Sequence, residues 1–345
     1  MPLVSVGVSG GVDSAATVLM LKNQGFSVKG VHFSVLSENN SDYISKLSES
    51  LEIDIIECNV SKIFDKNIVT PFISDYMSGR TPSPCVECNP MVKWSVVRSC
   101  AEHIGASAWA TGHYARVVKQ NGFYYVARGA DILKDQSYYL WKLDQQTLAG
   151  ALMPLGSYSK VEIKKYMENK GFMALSHQKE SMGVCFLGPG GYKELLRERV
   201  PDIHNLCGGE IVDRTGKVVG THDGYPFYTI AQHRRLGIDK GLCVVEIDKA
   251  NNRLVIGDEN ELYVDNFFVE NYQFINRDEI AESGVLEVKV RGVGRNPVGY
   301  CKVDFVDDKL LRVSLLTSSA WAIANGQPAV FYIKERVVGG GYLKL

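Results

Sequence analysis

The sequence predicts a doubly wound α/β domain, a parallel sheet with helices on both faces, followed by two small mainly β modules of which the last is a β-barrel. Three observations lead there. Short apolar runs alternate with amphipathic stretches up to about residue 200. A strand, a glycine turn and a helix stand in direct succession near the N-terminus, and after about residue 205 the pattern changes to short alternating runs separated by turn residues. Domains are expected at 1–204, 205–275 and 276–345, with linkers near Gly208-Gly209 and around Asn276 to Ser283.

Taken in order, Val4 to Val8 reads as the first strand, Ser9-Gly10-Gly11 as a tight turn, and Ala15 to Asn23 as a helix closed by Gly25. Phe26 to Phe33, Asp54 to Val60 and Ala108 to Thr111 are further strands, separated by helices around Ile44 to Leu51 and Phe64 to Met77. Met91 to Ile104 places Trp94, Val97, Ala101 and Ile104 on one helical face, with Asn89 as N-cap and Pro90 in the first turn. Ser159-Lys160-Val161-Glu162 is a capping box opening a helix that stops at Gly171. Beyond it, strands are expected at 210–212, 218–219, 243–247, 253–256, 286–290, 311–315 and 329–333.

At 345 residues, 45% hydrophobic and 22% charged, the chain is no disordered, collagenous or disulfide-stapled polypeptide. Lys and Arg number 38 against 39 Asp and Glu, a net charge of −1, so a nucleic acid would have to be met by local basic patches. Candidates are Lys160, Lys164, Lys165, Arg197, Arg199, Arg234 and Arg235, each of which alone reads as a solvated charge. The N-terminus lacks the basic start of a secretory signal and no apolar run reaches about 18 residues. The expectation is a cytoplasmic chain with no membrane partner, its eight cysteines mostly reduced.

Ser9-Gly10-Gly11-Val12-Asp13-Ser14 sits between strand and helix, so backbone N–H groups and two hydroxyls converge on the positive end of a helix dipole. That is an anion site, most simply for a pyrophosphate, with Asp13 as a candidate ligand for Mg²⁺. Thr81 to Pro90 is a proline-stiffened loop holding Cys85 and Cys88, two thiols whose pKa values a following helix N-terminus is expected to lower. A lone C-x-x-C is shared by redox pairs, half zinc sites and cluster ligands, and no second one completes a four-cysteine site. Cys185 is flanked by glycines and by itself reads as a buried small hydrophobe, whereas Cys58, Cys100, Cys207, Cys243 and Cys301 read as core or incidental.

The strings SGGVDS, GRTPSPCVECN, ATGHYAR, KDQSYYL, ESMGVCF, GTHDGYPFYTI, GQPAVFY and ERVVGGGYL, in this order along nearly the whole chain, resemble those of the tRNA-specific 2-thiouridylases, the MnmA family of the PP-loop ATP pyrophosphatase superfamily. The resemblance implies a Rossmann-like PP-loop domain. It implies ATP binding by Gly7, Val8, Ser9, Gly10, Gly11, Val12, Asp13, Ser14, Phe33 and Gly112. It also implies tRNA contacts at Ser83, Pro84, Cys85, His113, Lys134, Asp135, Gln136, Arg291, Gly292 and Gln327. Gly292 stands where an aromatic is frequent, Ala231 and His233 where Gly and Arg are expected, and the segment Ser34 to Asp42 where a longer acidic insert is usual.

By the same resemblance Cys88 takes the nucleophile position and Cys185 the position that receives sulfur as a persulfide. ATP would adenylate O2 of the wobble uridine, sulfur would displace AMP, and the two cysteines would finish as a disulfide. The sulfur donor would be a cysteine desulfurase or a sulfur-relay protein. Cys85 stands where many members carry Asp, which leaves a second reading open: an iron-sulfur cluster on Cys85, Cys88 and Cys185 with one iron free for sulfide. A PP-loop ligase that adenylates a small substrate and a non-catalytic tRNA-binding or sulfur-carrier protein are the remaining alternatives.

Overall fold

A computed structural model describes residues 1–35, 41–178, 183–234, 236–237 and 241–345. The chain forms two compact units, one of Met1–Ile68, Cys85–Met182 and Lys334–Val338, the other of Val69–Pro84, Gly183–Ile333 and Gly339–Leu345. In the first, strands β1 (Leu3–Gly7), β2 (Ser27–Ser34), β3 (Ile55–Asn59), β4 (Ala108–Ala110) and β7 (Ala151–Leu152) form an all-parallel sheet of order β3-β2-β1-β4-β7. Helix α1 (Val12–Asn23) returns the chain from β1 to β2, and α2 (Ser41–Leu51) from β2 to β3. Val4 and Val6 are fully buried beneath Ala15, Ala16, Leu21 and Leu51, and the small Ala15 and Ala16 allow α1 to be buried nearly all round.

The order reverses at β1, whose neighbours are β2 on one side and β4 on the other. In an open parallel sheet the crevice beyond the C-terminal ends of two such strands is where ligands bind. Two loops emerge there: Val8 to Gly11 after β1 and Thr111 to His113 after β4.

Beyond β3 the chain winds through α3 (Ser61–Phe64), a π-helical stretch at Asp65–Val69 and α4 (Thr70–Met77). The second helical stretch differs from expectation. Asn89 is no N-cap: helix α5 (Pro84–Cys88) runs into a π-helical stretch at Asn89–Trp94 and on into α6 (Ser95–His103) without a break. Pro90 lacks an N–H and its ring would crowd the carbonyl one α turn back, and the wider π turn makes room for it. The buried Asn89 amide donates to the Tyr139 carbonyl at 2.9 Å instead of capping. Cys85 therefore lies in the first turn of the helix and Cys88 one turn further in, where a following N-terminus cannot act on them.

A hairpin of β5 (Ala115–Gln120) and β6 (Phe123–Arg128) turns at Asn121-Gly122, both with positive φ, the type I′ signature that the sequence carries and that the strand expectations above did not use. Its Ala127 pairs with Arg336, bringing in the segment Lys334–Val338. Helix α7 (Gln145–Ala149) leads into β7, and α8 (Lys160–Asn169) opens with the expected capping box, Ser159 accepting from the Glu162 N–H and the Glu162 carboxylate from the Ser159 N–H.

In the second unit β8 (Gly209–Val212), β9 (Val218–His222), β10 (Leu242–Asp248) and β11 (Arg253–Asp258) form a sheet of order β10-β11-β8-β9, which closes over Tyr225, Phe227 and Leu254. The strand pair β12 (Tyr263–Val264) with β17 (Ala320–Trp321) stands beside a barrel. The barrel comprises β13 (Asn266–Phe274), β14 (Glu287–Lys289), β15 (Cys301–Phe305), β16 (Leu310–Leu315), β18 (Pro328–Ile333) and the C-terminal part of β19 (Arg336–Lys344). Paired N–H···O bonds between Leu286 and Cys301, at 3.0 and 2.7 Å, join β14 to β15 and close it. Gly341 permits β19 to cross the bulged β13, since a Cβ there would lie 2.5 Å from Val269. Residues 277–283, expected as a linker, are a helix N-capped by Asn276. Among the described residues no helix is long and apolar enough to cross a membrane.

Candidate active site

The turn after β1 is built by its own hydroxyls. Ser14 Oγ receives the Ser9 N–H at 3.2 Å and donates to the Gly11 carbonyl at 3.0 Å, folding the loop back over the start of α1. Gly10 holds φ +82°, and the Tyr43 phenol lies against it where any Cβ would collide. Ser9 is exposed at the mouth, and the Phe33 ring and Val97 cover Gly7 from behind. A turn braced in this way at the N-terminus of a helix is a candidate anion seat.

Asp13 is the best-anchored carboxylate of this loop. Both its oxygens accept from Lys160 Nζ, at 2.7 and 2.8 Å, and Oδ1 also accepts from the Tyr114 hydroxyl at 2.8 Å. Lys160 is thereby removed from the exposed basic candidates: its side chain is 8% exposed and serves the loop. Neither Tyr114 nor Lys160 was singled out for the site by sequence reasoning. One signal was present, because a lysine at the first position of a helix opposes the helix dipole and needs a reason to be there.

Gly112 backs the same turn. A Cβ on it would stand 2.9 Å from the Asp13 carbonyl carbon and 3.1 Å from the Ser14 nitrogen, both backbone atoms that cannot swing aside. Gly112→Ala is expected to cost about 1–3 kcal/mol by overpacking and to weaken nucleotide affinity in parallel, checked by thermal denaturation and ATP titration.

His113 follows, half-buried, its Nδ1 2.7 Å from Thr111 Oγ1 and its ring stacked on Trp94 at 6.0 Å. Burial, and then the Lys93 charge, push its pKa down to about 3 from 6.5, so the ring is neutral at working pH. Between these values the unfolded chain binds a proton that the folded chain refuses, and stability falls as pH falls through that window. His113→Gln should flatten this acid loss, read from urea midpoints between pH 4 and 7.

The two-thiol helix α5 is held in place by Glu87, whose carboxylate oxygens accept from Lys142 Nζ at 2.8 and 2.7 Å. Cys85 is half-buried and Cys88 is 6% exposed. Burial, and then the neighbouring Cys85 thiol, raise the Tyr139 phenol above its usual range, keeping it a proton donor beside this helix. Cys185 belongs to the second unit and is exposed. Among the described residues no group of three His, Cys, Asp or Glu side chains is placed to hold a metal ion.

Residues 3–189 match the family model described as tRNA methyl transferase HUP domain, 195–258 the tRNA methyl transferase PRC-barrel domain, and 264–343 the aminomethyltransferase beta-barrel domain. The tRNA-specific 2-thiouridylase MnmA 3 of Phocaeicola vulgatus is 39% identical over 355 residues, covering 99% of this chain and 94% of that protein. The chain belongs to the tRNA-specific 2-thiouridylase (MnmA) family. The MnmA 3 of Bacteroides fragilis is 38% identical, covering 99% and 93%, and MnmA of Chlorobium chlorochromatii 35%, covering 99% and 98%. Among solved structures, a 4-thiouridine synthetase–RNA complex with bound ATP superposes at a TM-score of 0.36 and 17% identity, over 58% of this chain and 51% of that one.

The positions that MnmA resemblance marks for tRNA are also occupied with the protein's own backbone. Asp135 accepts from the N–H groups of Gly129 and Ser137, each at 3.1 Å, and Gln136 Oε1 from the Tyr114 N–H at 2.9 Å. These two side chains brace the loop that presents the half-buried Lys134. In the second unit Gln327 Nε2 donates to the Thr81 carbonyl at 2.8 Å and so fixes the segment leading to Ser83 and Pro84. Arg291 donates to the Ala322 carbonyl and lies 5.4 Å over the Trp321 ring, beside the half-buried Gly292. Glu180, Ser181 and Met182 of ESMGVCF, Arg235, and residues 36–40 of the shortened segment lie outside the described residues.

Proposed function

We propose that this protein is a tRNA-uridine 2-sulfurtransferase that uses ATP and a cysteine persulfide to place sulfur at C2 of the wobble uridine. The observation that carries the reading is the pairing, within one unit, of a rigid anion loop at the sheet's switch point with the two-thiol helix α5, in a chain 39% identical to an MnmA over its full length. ATP is a substrate here. Ser9, Gly10, Gly11 and Ser14 receive its phosphates, Phe33 and Gly112 shape the crevice, and Mg²⁺ accompanies the phosphates. The uracil O2 attacks the α-phosphate and pyrophosphate leaves, which turns a poor leaving group into AMP.

Cys185 carries the transferable sulfur as a persulfide supplied by a desulfurase or relay protein. Its terminal sulfur adds to C2 and AMP departs. Cys88 then attacks the Cys185 sulfur, breaking the S–S bond so that the terminal sulfur stays on the base, and a Cys88–Cys185 disulfide remains for an external thiol to reduce. Cys85 in place of the frequent Asp leaves Tyr139, beside this helix, as the neutral proton donor. The tRNA binds through its anticodon arm, with the wobble base flipped from its stack.

The test is incubation of unmodified tRNA with anaerobically purified protein, ATP, Mg²⁺ and a sulfur source, followed by mass analysis of the nucleosides and assay of AMP, iron and sulfide. Wobble 2-thiouridine with stoichiometric AMP and no bound iron is expected. Pyrophosphate release that does not depend on tRNA would overturn the reading in favour of a small adenylated substrate.

A further inference from the structure

Two cysteines outside the sulfur-transfer pair meet in the first unit. Cys58, on β3, and Cys100, on α6, have their sulfurs 3.5 Å apart, although 42 residues separate them in the chain. Both are half-buried and neither is in a disulfide. Sulfur atoms at van der Waals contact need a movement of roughly 1.5 Å to reach the bonded distance of about 2.05 Å, which rotation about two side chains can supply.

Their place is specific. Cys58 is the register partner of Phe33 on the adjoining strand, and Cys100 lies one turn beyond Val97 on α6. Phe33 and Val97 are the two side chains that cover Gly7 behind the anion loop. The thiol pair thus joins α6, which carries Val97, to β3, the strand hydrogen-bonded to β2, which carries Phe33.

We propose that Cys58 and Cys100 are a modification site, a dithiol that hydrogen peroxide converts into a reversible disulfide clamping β3 to α6. Burial, and then the hydrogen bond with Cys100, push the Cys58 thiol up, and in the proposed course the Cys100 sulfur meets the oxidant first. Its thiolate attacks one peroxide oxygen, the O–O bond breaks, and hydroxide leaves to be protonated as water. Cys58 sulfur then attacks the resulting sulfenic sulfur. The S–S bond forms, the S–O bond breaks, and hydroxide departs with the Cys58 proton as a second water. Two thiols and one peroxide give one disulfide and two waters, the sulfurs losing two electrons and the peroxide gaining them.

The experiment treats the reduced full-length protein with increasing hydrogen peroxide, blocks remaining thiols with an alkylating agent and identifies linked tryptic peptides by mass. The expected product joins the Cys58 and Cys100 peptides with two hydrogens fewer than their sum, and disappears on treatment with dithiothreitol. The melting temperature of the oxidised protein should rise by several degrees, because the link closes a long loop in the unfolded chain. In Cys58→Ser the link should be absent and Cys100 should advance to the sulfinic state. If the exposed Cys207 is oxidised while Cys58 and Cys100 both remain alkylated, or each is oxidised without linking, the proposal fails. That outcome is read on wild-type protein and leaves the thiolation reading untouched.

Discussion

Alanine at position 88 is expected to reduce 2-thiouridine formation by roughly a thousandfold or more, as loss of a covalent nucleophile does, while tRNA affinity changes by less than about twofold. Cys88 is buried at 6% exposure, so truncating it costs about 1 kcal/mol of stability, too little to unfold the chain. Cys185→Ala should be equally inactive with almost no stability change, since Cys185 is exposed. Adenylation precedes sulfur transfer in the proposed course. Both variants should therefore still release pyrophosphate in a single tRNA-dependent turnover, measured by quench-flow with labelled ATP. Normal thiolation by either variant removes the persulfide route.

Asp13→Asn is expected to be the more damaging half of the Asp13–Lys160 pair. Lys160 is 8% exposed and Asp13 34%, so the neutral amide leaves an ammonium in a place with little water, at a cost of about 3–5 kcal/mol. Lys160→Met leaves a carboxylate that is one-third solvated and still bonded to Tyr114, at about 1–2 kcal/mol. The double variant should recover most of the loss and lie within about 1–2 kcal/mol of wild type, because no buried ion is left. Urea denaturation of the four proteins closes the cycle. Equal single losses that simply add in the double would show that the pair does not act as one unit.

The anion loop was legible in sequence because its determinants are contiguous: Gly10 for a positive φ, Ser9 and Ser14 for the hydroxyl bracing, and an apolar strand and helix on either side. The capping box at Ser159 was legible for the same reason, its reciprocal bonds spanning three residues. The C-x-x-C segment was misread locally. Asn89-Pro90 has the composition of a helix start, yet α5 is already wound at Pro84, and the π-helical register carries the chain past the proline. The hairpin at Asn121-Gly122 and strand β13 follow ordinary turn and alternation rules, so their omission reflects signals present but unread.

Local chemistry along the chain was enough to mark a glycine turn between strand and helix, a pair of thiols three positions apart and a change from α/β to β construction, since each depends on residues a few positions apart. What the tertiary structure decided lies between residues far apart in sequence. It placed the Gly112 loop against the anion turn through a strand order that reverses at β1. It drew Lys160 under Asp13 across 147 positions, turning an apparent surface charge into a buried counter-ion. It set Cys58 against Cys100, and it closed the last barrel through Leu286 and Cys301. Periodicity reports which face of an element is buried, but the partner across that face is chosen by packing of the whole chain, and no local pattern encodes it.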